Sequence, residues 1–241
     1  LGPRGRGMAE SATHLFVYDG AVFKAETDVM IPKRGSILLA RHMGVRPTDV
    51  VLDLGTGVGF LGILAARTAR QVVATDVIPA GVECARANAI LNGLAHKMDF
   101  RLGDLYAPVS GMAFDLILAN PPQMPAPPGR DDLKDPRLLA DDGGADGWAT
   151  LDRILCEAPE HLRRGGRLLF TCFAFLGVRR ALGKVEAAGL QGWIVGRELH
   201  AFPRIGLERL DLIRSLDDEG TIREEGGRLF VERLVVGAAK P

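Results

Sequence analysis

Residues 51–62 read VLDLGTGVGFLG. An apolar run rich in β-branched residues halts on Gly55, Gly57 and Gly59. The chain then resumes as FLGILAARTAR (60–70), which is helical in composition. This is the pattern of a strand that turns through glycines directly into a helix. A strand that is apolar at every position, rather than at alternate ones, is buried on both faces, and such strands belong to parallel sheets covered by helices on either side. The glycines let the backbone take positive φ and approach a ligand closely, and the helix start offers N–H groups with no partner inside the helix.

The rest of the chain repeats the alternation. QVVATD (71–76) is a second strand and PAGVECARANAILNG (79–93) a second helix, with proline at the start and Asn-Gly at the stop. KMDFRLGD supplies a third strand and FDLILAN a fourth. Residues 121–146, rich in Pro, Gly and Asp, form a long loop, followed by a helix through about 148–164. RRGGRLLFTCFAF reads as a turn and a fifth strand, GVRRALGKVEAAG as a helix, and GWIVGREL and RLFVERLVVGAA as the last two strands. The expected fold is α/β: a doubly wound, mostly parallel seven-stranded sheet with helices on both faces. The expected organisation is a tag or disordered leader at 1–7, an N-terminal extension with a short helix covering the ligand site at 8–48, and one domain over 49–241, with a partly helical insertion at about 201–226.

Composition excludes several classes. The net charge of +0 creates no global positive field to recruit nucleic acid or an anionic membrane. No stretch approaches the roughly 20 apolar residues that span a bilayer. The three cysteines (Cys84, Cys156, Cys172) and five histidines show no metal-ligand spacing. They read as reduced thiols and ordinary imidazoles in a cytoplasmic chain with no metal.

Asp53 decides what the glycine turn binds. The dinucleotide pattern G-x-G-x-x-G fails here, because Phe60 stands where the third glycine would be. A carboxylate at the end of the first strand repels a pyrophosphate but suits a cationic amino group. Asp76 ends the second strand, 21 residues after Gly55, where a carboxylate accepts hydrogen bonds from ribose hydroxyls. Asp104 follows the third. Carboxylates at the ends of three successive strands converge on the crevice where open α/β sheets bind ligands. Together they call for a nucleoside that bears an amine and no phosphate, and S-adenosylmethionine has those parts. The expected contacts are Asp53, Gly55, Thr56, Gly57, Gly59, Asp76, Val77, Asp104, Leu105 and Asn120.

The fourth strand ends in Asn120-Pro121-Pro122-Gln123. Proline fixes its own φ and pushes the preceding residue to extended backbone. Asn120 and the carbonyl of Pro121 are therefore held stiffly, as two oxygens able to accept the N–H bonds of a planar –NH2 group. These four residues are the expected catalytic set, acting by positioning and by dipoles.

With these motifs the chain resembles a class I S-adenosylmethionine-dependent methyltransferase, with DLGTGVG as its first motif, Asp76 as the ribose acid and Gly103-Asp104 on the adenine side. Asn-Pro-Pro resembles the (Asp/Asn)-Pro-Pro-aromatic motif of amino-methyltransferases, with Gln123 in place of the aromatic. The segment DPRLLADDGGADGWATLDRILCEAPEHLRRGGRLLF is similar to the one that follows this motif in the HemK/PrmC family. That family methylates the glutamine of the release-factor Gly-Gly-Gln motif. FKAETDVMIP (23–32) is loosely similar to the family's loop bordering the cofactor, which would implicate Glu26, Thr27 and Asp28. The resemblance implies an N-methyltransferase, with either a protein glutamine or a small-molecule or peptide acceptor. A nucleic-acid base and a non-catalytic cofactor-binding regulator remain alternatives. The family's bacterial members carry an N-terminal helical domain, and the insertion at 201–226 would then replace it as a lid.

Overall fold

The computed structural model describes residues 13–25, 29, 31–127 and 141–241. The leader, Glu26, Thr27, Asp28 and the middle of the long loop lie outside the described residues. The elements in chain order are β1 (His14–Tyr18), β2 (Ala21–Ala25), α1 (Arg34–His42), β3 (Val50–Leu54), α2 (Phe60–Ala66), β4 (Gln71–Asp76), α3 (Pro79–Leu91), β5 (Met98–Leu102) and β6 (Phe114–Ala119). They continue with α4 (Ala149–His161), β7 (Leu162–Phe173), α5 (Val178–Ala187), β8 (Gln191–Ala201), α6 (Arg204–Leu207), α7 (Leu210–Leu216), β9 (Arg223–Glu225) and β10 (Arg228–Ala239).

Seven strands form the main sheet in the order β5-β4-β3-β6-β7-β10-β8, and the short β9 pairs with β10. The β5-β4-β3-β6-β7 run is parallel, and β10 is antiparallel to both of its neighbours. The doubly wound, mostly parallel sheet is therefore as expected from the sequence, with β9 as an eighth strand. Alternation decides which helix layer each residue meets. In β3, Val50, Leu52 and Leu54 join the core under α4, α5 and α7. Val51 joins the other core, under α1, α2 and α3. Both faces of β3 are covered, which is why all five of its residues are buried.

Two local readings change. Arg163-Arg164-Gly165-Gly166, expected as a turn, lies inside β7. Gly165 takes φ 71 and its N–H meets the Lys240 carbonyl, while Lys240 N–H bonds back to Gly166, so the end of the chain stitches these residues into the sheet. Residues 201–226, read from the sequence as an insertion, contain α6 and α7, and Thr221–Ile222 fold back on Asp217 and lead into β9, which forms a hairpin with β10.

The N-terminal segment contains a hairpin that periodicity did not reveal. Phe23 of β2 is stacked on Phe16 at 5.1 Å and tilted against Phe60 at 5.3 Å, so the hairpin packs on the start of α2. Asn88 of α3 locks it in place. Its amide oxygen accepts Lys24 N–H at 2.8 Å, and its amide nitrogen donates to the Lys24 and Val58 carbonyls, both at 2.9 Å. One buried side chain thus ties the hairpin to the glycine turn. Asn88→Ala is expected to lower stability by about 1–3 kcal/mol and to speed amide exchange over residues 14–25. Thermal unfolding and hydrogen-exchange mass spectrometry check both.

Candidate active site

The glycine turn, Asp76, Gly103-Asp104 and Asn120-Pro121-Pro122 lie on one edge of the sheet, because the parallel strands end there in register. Asp53 pairs with Ala74 and Leu118, Leu54 with Ala119, and Asp76 with Leu102. The glycine turn rises from this edge with Gly55, Gly57 and Gly59 at φ 69, 52 and 82. A Cβ at Gly55 or Gly57 would meet nothing within 4 Å, so the outer side of the turn faces open space. A Cβ at Gly59 would lie 3.1 Å from Ala85, so that glycine serves helix packing.

Asp53 is buried beneath the turn. Its Oδ2 accepts the Thr56 hydroxyl at 2.6 Å and the Gly62 N–H at 2.9 Å, while its Oδ1 is buried with no partner. Gly62 escaped the sequence reading. A Cβ there would come 2.9 Å from Asp53 Oδ2, so only glycine lets the carboxylate reach the helix N–H. Asp76 accepts Gly57 N–H at 2.8 Å on one oxygen and Ile78 N–H at 2.9 Å on the other. Each oxygen keeps a lone pair for a hydroxyl. Burial pushes the Asp53 carboxyl up to about 6, against its hydrogen bonds from Thr56 and Gly62, and the Asp76 carboxylate adds to the rise. Burial also raises the Asp76 carboxyl. Two buried carboxylates with no cation beside them among the described residues, one holding an orphaned oxygen, suit a ligand that brings an ammonium and a ribose. S-adenosylmethionine fits these residues.

The remaining expected contacts are spread around this centre. Val77 is exposed, Leu105 sits at φ 43 with its carbonyl accepting the Thr75 hydroxyl, and Asp104 is half-exposed and ion-paired with Arg153 at 2.6 Å.

Asn120 stands at the end of β6. Its Oδ1 accepts the Thr171 hydroxyl at 2.5 Å, and its Nδ2 donates to the Ser36 hydroxyl at 2.8 Å. Gln123, expected in the catalytic set, is buried among backbone and hydroxyl partners. It is 3% exposed, its Nε2 donates to Thr171 Oγ1 at 2.9 Å and to the Thr171 and Pro121 carbonyls at 3.2 Å, and its Oε1 accepts Phe173 N–H at 2.9 Å. Because Gln123 donates to the Thr171 oxygen, the single Thr171 proton is left for Asn120. The chain Gln123–Thr171–Asn120–Ser36 thereby fixes which way the Asn120 amide points. The segment GGADGW packs against this turn: a Cβ at Gly143 would lie 2.5 Å from Gln123 Cα, and one at Gly147 2.7 Å from its carbonyl oxygen. Ser36 and Thr171 carried no sequence signal, since lone hydroxyls in a helix and a strand are ordinary.

A family profile described as methyltransferase small domain matches residues 16–127. A release factor glutamine methyltransferase of Cereibacter sphaeroides is 38% identical over 198 residues, covering 79% of this chain and 70% of that protein. A putative protein N5-glutamine methyltransferase of Methanocaldococcus jannaschii is 33% identical, covering 74% of this chain and 89% of that protein. Among solved structures, the T. Thermophilus 16S rRNA N2 G1207 methyltransferase in complex with AdoMet and guanosine is similar, with a TM-score of 0.60 at 19% identity. The match covers 98% of this chain and 52% of that one, and at that identity it shows the fold alone.

Two outcomes are expected. Calorimetric affinity for S-adenosylhomocysteine should be flat above pH 6 and fall as pH drops through about 6, where Asp53 takes up a proton. The ligand's ammonium favours the charged carboxylate, whereas the ligand-free fold favours the neutral one and loses that stabilisation as pH rises through the same value. Asp53→Asn should flatten the profile. Gln123→Leu, which leaves Phe173 N–H buried without an acceptor, should cost about 1–3 kcal/mol in thermal unfolding.

Proposed function

The chain belongs to the HemK/PrmC family of protein-glutamine methyltransferases, and we propose that it methylates the side-chain amide nitrogen of a glutamine in a protein acceptor, with S-adenosylmethionine as donor. The observation that carries this reading is the locked orientation of the Asn120 amide, whose oxygen is held by the Thr171 hydroxyl at the end of β6. The donor, when bound, supplies an electrophilic methyl group, which leaves sulfur as the acceptor nitrogen bonds to carbon and one N–H proton passes to solvent.

The protein's own residues supply position and field. Asp53 and Asp76, buried beside the glycine turn, hold the ammonium and the ribose. The second lone pair of Asn120 Oδ1 accepts one N–H of the acceptor, and the Pro121 carbonyl, which takes a 3.2 Å contact from Gln123, accepts the other. An amide nitrogen is a poor nucleophile, so holding its plane toward the methyl group is the main service an enzyme gives it. No general base is required beside the nitrogen. We place the protein in the cytoplasm, in keeping with its three free cysteines.

The test is Asn120→Ala. Affinity for S-adenosylhomocysteine should stay close to wild type while turnover falls by about 10²–10³, the size of one preorganised electrostatic contact. Acceptors should include a Gly-Gly-Gln peptide and an intact release factor, with the methylated atom located by mass spectrometry. Full activity in Asn120→Ala, or methyl on oxygen or carbon, overturns the reading.

A further inference from the structure

Arg233 is a cation at the site with no carboxylate partner among the described residues. It lies on β10 opposite Phe173, the last residue of β7, and so at the same sheet edge as Asn120. A Cβ placed at Gly35 would lie 2.7 Å from Arg233 Nη1 and 3.0 Å from Asn120 Oδ1. The guanidinium and the Asn120 oxygen are therefore close neighbours, brought together against an α1 position where only a glycine leaves them room. The guanidinium is stacked over the Phe173 ring at 3.5 Å from its centroid, which fixes its plane. The residue is partly buried, and its Nε is fully shielded with no hydrogen-bond partner. Among the described residues no carboxylate pairs with it. Asp141, whose charge it feels, is taken by Lys33 Nζ at 2.7 and 2.8 Å, and the neighbouring Cys172 thiol is pushed up to about 12 by burial and stays neutral. Burial pulls Arg233 itself down to about 10, so it remains charged near neutrality.

A partly buried guanidinium with no carboxylate beside it among the described residues is costly unless a ligand's oxygen meets its outer nitrogens. Its place along the sheet decides which ligand. The residues that suit the nucleoside stand at the ends of β3, β4 and β5, on one side of Asn120. Arg233 stands beyond β7 on the other side, where the acceptor must enter. A carboxamide is a planar fork with N–H donors on one arm and an oxygen on the other, and it needs an acceptor and a donor to hold it. Asn120 provides the first. We propose that Arg233 provides the second, donating to the carbonyl oxygen of the carboxamide whose –NH2 is held by Asn120, and so selects amides over amines. This rests on the amide-acceptor reading above. A lysine side chain or a simple amine offers no such oxygen, and binding it would leave the guanidinium unanswered.

The experiment uses the whole chain and three peptides ending in Gly-Gly-Gln, Gly-Gly-Glu and Gly-Gly-Met. Methylation of the first by the wild type, read by mass spectrometry, tests the amide reading by itself; failure on this peptide and on intact release factor sinks that reading and this inference with it. Given methylation, Arg233→Met should lower kcat/KM on the glutamine peptide by roughly ten- to a hundredfold with unchanged affinity for S-adenosylhomocysteine. The wild type should bind the oxygen-bearing glutamate peptide more tightly than the methionine peptide. Arg233→Met should lose that preference, and Arg233→Lys should restore part of it. A preference that survives in Arg233→Met overturns the inference, and so does an equal loss of cofactor affinity, which would assign Arg233 to the donor's carboxylate. Should Arg233→Met fail to fold, Arg233→Lys carries the test. It keeps the charge without the planar fork, and unchanged kcat/KM in that variant overturns the inference.

Discussion

A single carboxylate, Asp53, organises the ligand end of the sheet. Its Oδ2 gathers the Gly62 N–H and the Thr56 hydroxyl, so the last residues of β3, the glycine turn and the first turn of α2 share one anchor. The burial that makes this anchor firm also makes its charge expensive, which is why its carboxyl rises to about 6. The remaining oxygen is left without a partner. A fold that accepts such a cost at the end of its central strand keeps a binding energy in reserve for a cation, as strained or unsatisfied groups at functional sites commonly do.

One strand further along, the arrangement is the reverse. Asn120 is held from below by one bond to each end of its amide, from Thr171 and to Ser36, and its direction is set by a row of hydrogen bonds that begins at the buried Gln123. Rigidity here comes from bonds at both ends of the amide. Each donor in the row leaves its neighbour one choice, so the Asn120 oxygen presents its free lone pair in a constant direction. The two prolines hold the backbone, and glycines 143 and 147 let the following loop press against it. Gln123, which interrupts the familiar aromatic motif, fits this account as a strut between β6 and β7, since its oxygen caps Phe173 N–H and its nitrogen caps Thr171.

Charge across the edge is therefore divided. Anionic groups lie at β3 and β4, a neutral oriented amide at β6, and at β10 a guanidinium with no carboxylate partner among the described residues, stacked on Phe173. The antiparallel placement of β10 is what brings Arg233 to this end, because it enters the sheet from the side where the parallel strands finish. The proposed division of labour follows: cationic donor on one side, carbonyl of the acceptor on the other, and the nitrogen between them at Asn120.

Much of this was legible in the chain itself. The β–glycine–α punctuation, the continuous apolar strands and the carboxylates at their ends specify a parallel sheet and its binding edge, because strand burial and glycine conformations are local demands written in adjacent residues. Asn120-Pro121-Pro122 announced a stiff turn for the same reason. Tertiary structure alone decided the rest. Gln123 turned inward because Thr171 and Phe173, some fifty residues away, offered it partners. Gly165 and Gly166 joined a strand because Lys240 paired with them. Ser36 and Arg233 came to the site from α1 and β10, which no spacing in the sequence connects to residue 120. Such contacts depend on which elements lie side by side, and that order is set by the packing of the whole sheet rather than by any stretch of it.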